Sequence, residues 1–356
     1  MADIRKILVI KLRAIGDVVL STAVLPSLKK FYRDAKIHFM VESSGKEVLE
    51  NNPYLDRIVV LPLKEWGKLS AVKAWLSGFR FLKTIRKEKY DLVFDLFGNP
   101  RSAFITWITG APLRVGFSFR GRKYAYNKRV MPRGGEVHEV EFNLDALRAL
   151  NVPIVDFSPI FPLLKQEIDF IDKWIKENGL EKSFLVGLNP WGSWQAKRWG
   201  LEKFAALADK LVETYQAKVV VLWGPGEYRH AEKVKALAHY PVLIAPQTSL
   251  KQLGALLFRC QLVVANDSGP MHISAAVGTK TVGIFGPTQW QLQGPYGRGH
   301  GVAYKKGLTC LGCNRLSCEK MTCMKDLSVD EVMEVIKQVV GKDFSQKRKQ
   351  LVLREE

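Results

Sequence analysis

The sequence predicts two consecutive α/β halves, each a parallel sheet whose strands alternate with helices, and three observations carry that prediction. Short apolar runs of strand length recur along the chain, separated by segments with apolar residues at helical spacing. The runs place Val, Ile, Leu and Phe on consecutive positions, as in strands buried on both faces of a parallel sheet. The alternation weakens once, from Val130 to Leu164, where Pro132, Gly134, Gly135, Pro153, Pro159 and Pro162 punctuate the chain, and then resumes. A length of 356 residues fits about two domains. The expected division is 1–160 and 161–340, followed by a charged tail over 341–356.

In order along the chain, KILVIKL (Lys6 to Leu12) reads as a strand, RAIGD as a loop, and VVLSTAVLPSLKKFY as a helix. KIHFMVES, RIVVLPL, YDLVFDL and LRVGFSF follow as strands. Between them, from Glu65 to Lys89, Trp, Leu and Phe interleave with Lys and Arg at a spacing of three to four, which predicts a cationic amphipathic helix or helix pair. EVEFNLDALRAL is one short helix inside the punctuated region. The second half reads FLVGLNP, a loop GSWQAKRWG, a helix from Leu201, VVVLWGP, a helix from Glu227, and PVLIAP. A helix from Ser249, LVVANDSG, a helix from Pro270 and TVGIFGP complete the alternation. SVDEVMEVIKQVVG is a last helix, with Ser328 as its N-cap and Glu331 as the reciprocal capping partner.

Apolar residues make up 47% and charged residues 25%, which excludes a disordered or fibrous chain. The formal charge of +19 favours polyanionic partners, leaving nucleic acid, anionic lipid and nucleotide-linked substrates as candidates. No run of about 18 apolar residues occurs, and the charged N-terminal segment lacks the pattern of a signal peptide. Five cysteines cannot form a disulfide framework, and the odd number favours reduced thiols; a cytoplasmic protein is expected.

Ligands of open parallel sheets bind beyond the carboxyl ends of the strands, so the loops after strands are searched first. In NDSGPMHISAAVG, Asp267 and Ser268 end a strand, Gly269 admits close backbone approach, and Pro270 opens a helix whose dipole points outward, an anion site. The same residues also read as a well-capped turn with His272 packed in the core. NPWGSWQAKRWG brings Gly192 and Ser193 near Lys197 and Arg198, donors and cations suited to a diphosphate. WGPGEY offers Glu227 either to ribose hydroxyls or to the start of its helix. Neither GxGxxG after a strand nor GxxxxGK[ST] occurs.

These loops in this order resemble glycosyltransferase family 9, the bacterial heptosyltransferases of the lipopolysaccharide inner core, over nearly the whole chain. KILVIKLRAIGDVVLSTAVLPSLKK is similar to the family's first strand, loop and helix, NDSGPMHISAAVGTKTVGIFGPT to its best-marked motif, and GSWQAKRWG to its phosphate-binding loop. The resemblance implies two Rossmann-like, doubly wound domains in the GT-B arrangement with the active site in the cleft between them. It further implies inverting transfer of heptose from ADP-heptose to a lipid A-linked core oligosaccharide. Carried over, the catalytic base matches Asp17, the diphosphate-binding residues Gly192, Ser193, Lys197, Ser268 and Gly269, and the donor-sugar residues Asp267 and His272, with Glu227 toward the ribose. Asp17 also reads as the N-cap of a helix starting at Val18. The chain departs from the family pattern at Asn189, Pro190 and Trp191, where smaller residues are expected. This scheme requires no cofactor; a divalent cation is neither implied nor excluded by it.

An acceptor of that kind sits in an anionic inner leaflet, and a peripheral association with the inner membrane is expected. Arg114 to Arg133 interleaves seven basic residues with aromatics, Arg114, Arg120, Arg122 and Lys123 among them, and Lys64 to Lys89 adds the cationic amphipathic stretch. The same charge suits a solvated face or single-stranded nucleic acid, but nucleic acid leaves the NDSG and Lys197 loops unexplained and is not expected as a partner. Two rival functions remain: transfer of another nucleotide-linked sugar on the same scaffold, and a non-enzymatic basic protein for nucleic acid or anionic lipid. Cys310, Cys313, Cys318 and Cys323 form C-x2-C-x4-C-x4-C. Four thiolates suit a zinc or iron–sulfur centre, but the spacings after Cys313 depart from zinc-ribbon patterns, and a reduced structural cluster is the favoured reading.

Overall fold

The structure is a computed structural model and describes residues 4–119 and 121–341, so Arg120 and all of the expected tail beyond Gly341 lie outside the described residues. The chain divides into two units, Met1–Ile160 and Phe161–Glu356.

In the first unit the strands are β1 (Lys6–Ile10), β2 (Lys36–Glu42), β3 (Arg57–Leu61), β4 (Leu92–Asp95), β5 (Leu113–Phe117) and β6 (Lys128–Val130). They form one parallel sheet in the order β3-β2-β1-β4-β5-β6. The first five coincide with predicted runs; β6 was not predicted, because three residues with two exposed basic side chains carry no apolar signal. The helices are α1 (Ile15–Ser21), α2 (Leu25–Phe31), α3 (Lys46–Leu49), α4 (Leu63–Trp66), α5 (Ala71–Lys87), α6 (Pro100–Thr109) and α7 (Glu139–Arg148). Leu8, Ile10, Met40, Val59, Leu61 and Val93 form one core layer with Ile85 of α5 and Ile105 of α6, which places those two helices on the same face of the sheet. Each such side chain, fully removed from water, contributes about 1.5–3 kcal/mol.

The second unit repeats the plan. Its strands are β7 (Leu185–Asn189), β8 (Lys218–Val221), β9 (Leu243–Ile244), β10 (Leu262–Asn266), β11 (Lys280–Phe285) and β12 (Gly301–Tyr304), parallel and ordered β12-β11-β10-β7-β8-β9. Its helices are α8 (Lys165–Glu177), α9 (Leu201–Tyr215), α10 (Tyr228–Leu237), α11 (Leu250–Arg259), α12 (Gly269–Ala276), α13 (Trp290–Gln293), α14 (Thr322–Lys325) and α15 (Val329–Val340). Ser328 caps α15, accepting from Glu331 N–H at 3.2 Å while Glu331 accepts from Ser328 N–H at 2.8 Å, the reciprocal pair expected from the sequence.

Hydrogen bonds show why the units part near residue 160. Upstream, Val155 N–H donates to Ser27 Oγ and Ile160 N–H to the buried Thr22 Oγ1, which ties the segment to the first unit. Downstream, Lys251 Nζ donates to Pro162 C=O, and Gly254 leaves room for the Phe161 ring, whose Cε1 would lie 2.4 Å from a side-chain Cβ there. In both sheets the chain leaves the first strand in one direction and later returns to its other side, so a switch point lies between β1 and β4 in the first unit and between β7 and β10 in the second. Ligand sites of such sheets form at the carboxyl ends of those strands.

Candidate active site

At the second switch point the loops after β7 and β10 meet. Lys197 Nζ lies 2.6 Å from Asp267 Oδ2, with side-chain exposures of 11% and 4%. Thr288 Oγ1, from the loop after β11, donates to the same carboxylate oxygen at 2.6 Å. Gly192 lies against both partners of the pair: a Cβ there would come 3.8 Å from Lys197 Cβ and 4.0 Å from Asp267 C=O, in ordinary contact with both. Ser193 follows it as an exposed hydroxyl. The Lys197 ammonium also lies 4.2 Å from the Trp194 ring centroid, a favourable cation–π contact. An ammonium carries three donors, so the pair with Asp267 anchors Lys197 while further donors stay available to an anion.

Asparagines lock the two loops together. Asn266 Nδ2 donates to Pro190 C=O at 2.8 Å and Asn266 Oδ1 accepts from Trp199 N–H at 3.3 Å. Asn189 Nδ2 donates to Ser268 Oγ at 2.8 Å, and Ser268 Oγ donates to Asn266 C=O at 2.9 Å. The Ser268 hydroxyl is thereby engaged, and no side chain caps α12, whose first residues are Gly269 and Pro270. Pro270 has no N–H and Met271 N–H donates to Ser268 C=O at 3.2 Å, so α12 turns the Gly269 N–H and the positive end of its dipole toward the side of Lys197, which suits an anion. His272 is buried in the first turn of this helix.

Trp191, where the family resemblance led to the expectation of a smaller residue, has two structural partners, both later in the chain. The Arg198 guanidinium lies 3.6 Å from its ring centroid and the His230 ring stacks on it at 3.5 Å. Arg198 Nε donates to Gly192 C=O at 2.8 Å, so the stack also fixes the loop that carries Lys197. Burial lowers the pKa of Arg198, and the nearby charge of Glu227 opposes it. Glu227 itself precedes the first turn of α10; its Oε2 accepts from Gly224 N–H at 2.8 Å, closing the WGPGEY turn.

At the first switch point Asp17 is half-buried, and the helix it belongs to starts earlier than expected. Helix α1 begins at Ile15, so Asp17 is not the N-cap of a helix from Val18 but its third residue, accepting from Ala14 N–H at 3.0 Å. Sequence reasoning missed the charges around it. Lys11, 4% exposed just past β1, places Nζ 2.6 Å from Glu139 Oε1 of α7 and 3.2 Å from Leu96 C=O. Burial alone would lower its pKa, but Glu139 first, with Asp17 and Asp95 adding to it, outweighs that and raises it above the ordinary lysine value. Asp95 ends β4, fully buried, and accepts from Tyr126 O–H at 2.6 Å, Gly98 N–H at 2.9 Å and Phe97 N–H at 3.1 Å. Burial nevertheless raises its pKa. Gly116 lets the Tyr126 ring lie against β5, since a Cβ there would sit 2.4 Å from the ring. The signal for Lys11 was present as a lysine after an otherwise apolar strand; its partner, 128 residues away, was not.

The remaining predicted residues lie apart from these clusters. Arg114 is braced internally, donating from Nε to Ala125 C=O at 2.9 Å and from Nη1 to Ala111 C=O at 2.5 Å. Arg122 lies over the Phe119 ring at 5.7 Å and Lys123 is exposed in a short turn. Cys310 and Cys313 are exposed, Cys318 and Cys323 half-buried. Met321 N–H donates to Cys318 Sγ at 3.4 Å and lowers that thiol's pKa, whereas burial, with the other three cysteines nearby, raises that of Cys323. Among the described residues no group of three or more His, Cys, Asp or Glu side chains is placed to hold a metal ion, and no helix is long and apolar enough to cross a membrane.

Comparison with known proteins gives a concordant result. The model of glycosyltransferase family 9 (heptosyltransferase) matches residues 78–324. Lipopolysaccharide heptosyltransferase 1 of Campylobacter coli is 28% identical over 304 residues, covering 80% of this chain and 84% of that one. The structure of a glycosyl transferase family 9 protein from Veillonella parvula superposes with a TM-score of 0.81 at 24% identity, covering 94% of this chain and 97% of that one. That of Escherichia coli heptosyltransferase WaaC with ADP superposes with a TM-score of 0.73 at 19% identity, covering 94% and 99%.

Proposed function

The chain belongs to glycosyltransferase family 9 and is a glycosyltransferase related to the heptosyltransferases of lipopolysaccharide core synthesis; from that premise we propose that it moves heptose from ADP-heptose to a lipid A-linked core oligosaccharide. The observation that carries the donor assignment is the Lys197–Asp267 pair beside the uncapped start of α12. As the glycosidic bond to the leaving ADP breaks, negative charge grows on the diphosphate. Lys197, the Ser193 hydroxyl and the backbone N–H groups of Ser268 and Gly269 would meet that charge. Asp267, anchored by Thr288, orients sugar hydroxyls together with His272 and so fixes the reacting carbon. Glu227 accepts from the ribose through the oxygen not engaged with Gly224 N–H.

Asp17 acts as general base, taking the proton of the acceptor hydroxyl as that oxygen attacks the anomeric carbon from the face opposite the leaving group. A single displacement of this kind inverts the configuration and needs one carboxylate. The basic residues of the first unit support a peripheral position at the cytoplasmic face of the inner membrane, where an acceptor of that kind sits. Calorimetric titration of ADP, UDP and GDP into the protein and into Lys197→Ala tests the donor. Selective ADP binding that weakens in the variant is expected. A preference for UDP or GDP would replace the donor, and no nucleotide binding at all would overturn the reading.

A further inference from the structure

Helix α5 carries two apolar stripes, and only one of them is used by the fold. Phe81, Leu82 and Ile85 turn toward the core layer under the sheet. Val72, Trp75, Leu76 and Phe79, at positions i, i+3, i+4 and i+7, make a second stripe that faces solvent, with Trp75 and Val72 each 68% and Phe79 57% exposed. The Trp75 and Phe79 rings stack on each other at 6.0 Å. Helix α6 packs beside α5 on the same sheet face, with Arg86 Nη1 donating to Ile108 C=O at 3.3 Å, and adds the exposed Phe104 and Trp107. Neither helix contains an Asp or Glu, while α5 contributes Lys73, Arg80, Lys83, Arg86 and Lys87 and α6 contributes Arg101. Arg101 reaches Glu42 at 4.0 Å, and a monomer gains nothing from six large apolar side chains left in water beside the basic residues of α5.

We propose that the α5–α6 face is a membrane-docking surface that inserts its aromatic stripe into the interface of an anionic bilayer. The helix lies in the plane of the headgroups, Trp75 and Phe79 enter the acyl boundary, and Lys73, Arg80, Lys83 and Lys87 reach the lipid phosphates along the flank of the stripe. Charge selects this occupant over a second copy of the chain, because a self-pairing of the face would set like charges against each other. The proposal narrows the expected membrane contact from both Arg114–Arg133 and Lys64–Lys89 to α5 and its neighbour α6, a surface with apolar and cationic components, and leaves out Arg114, which the fold engages internally. It rests on the functional reading above only for which membrane is met; the docking itself is independent of the sugar transferred.

The test is flotation of the full chain with vesicles of phosphatidylcholine alone or mixed with phosphatidylglycerol, at low and high salt, with no nucleotide or acceptor present. Binding to the anionic vesicles that weakens with salt is expected. Trp75→Ser/Phe79→Ser should lower the partition coefficient more than about tenfold, and Lys73→Gln and Lys83→Gln about fivefold each. All of these positions are exposed, so melting temperatures and calorimetric ADP binding should match the parent, which separates a failure of docking from a failure of the transferase reading. Equal partition of parent and Trp75→Ser/Phe79→Ser would overturn the proposal. So would indifference to phosphatidylglycerol, or a concentration-dependent dimer in light scattering that the double variant abolishes.

Discussion

The two sheets share one plan and differ in what stands at their switch points. Both have six parallel strands, and in both the loops after the two central strands converge. In the second unit those loops hold a paired cation beside an uncapped helix start, surroundings that favour an incoming anion. In the first unit they hold carboxylates, Asp17 on α1 and Asp95 at the end of β4, around a buried lysine. One fold thus carries two different sets of side chains at the same place, and the proposed function gives one half the leaving diphosphate to hold and the other a proton to accept.

The comparison breaks most visibly at Asp17. Asp17→Asn keeps an acceptor for Ala14 N–H, so the fold should persist, but turnover should fall by about 10²–10⁴-fold with ADP affinity unchanged; steady-state transfer and calorimetry on one preparation check both. Lys11→Met comes next. It removes one partner of a buried pair while Glu139 keeps some contact with water, and should cost about 3 kcal/mol of stability, read by denaturant unfolding. Because the folded pKa of Lys11 is raised above 10.5, its contribution is complete below that pH and is lost as pH rises through the folded value. The stability gap between parent and variant should accordingly be constant near neutrality and narrow only in strong alkali.

Lys197→Ala sharpens the other side. Loss of a charge-assisted contact should weaken ADP about tenfold or more and, by stranding Asp267, lower stability as well, while Lys197→Arg should recover the stability first. The smallest effect belongs to Glu227→Gln, which retains an acceptor for Gly224 N–H and should raise the ADP dissociation constant by only about fivefold, with an unchanged melting temperature.

Much of this was legible in the sequence because it is local. The consecutive apolar runs gave ten of the twelve described strands, all but β6 and β12, within a few residues, and the Ser328–Glu331 spacing gave a cap that the structure contains. What was illegible depends on strand order. Lys197 and Asp267 are visible as residues of two loops, but their pairing follows from β7 and β10 being neighbours, which no periodicity states. Lys11 and Glu139 are joined the same way, by α7 returning to the end of β1. Thr288 escaped notice, and the part Asn189 and Asn266 play in joining the two loops was not read, because short polar residues at strand ends read as ordinary turn formers. Helix α5 had apolar residues on two sides, so only packing against the sheet decides which stripe is core and which is left exposed.

The division of labour between the two switch points is the central claim, and the most direct test of it is heptose transfer from ADP-heptose to a lipid A-linked acceptor by Asp17→Asn, on protein whose ADP affinity has been measured. The account predicts loss of transfer with parental ADP binding. Substantial turnover in that variant would contradict it, leaving the first unit's carboxylate without the role assigned to it.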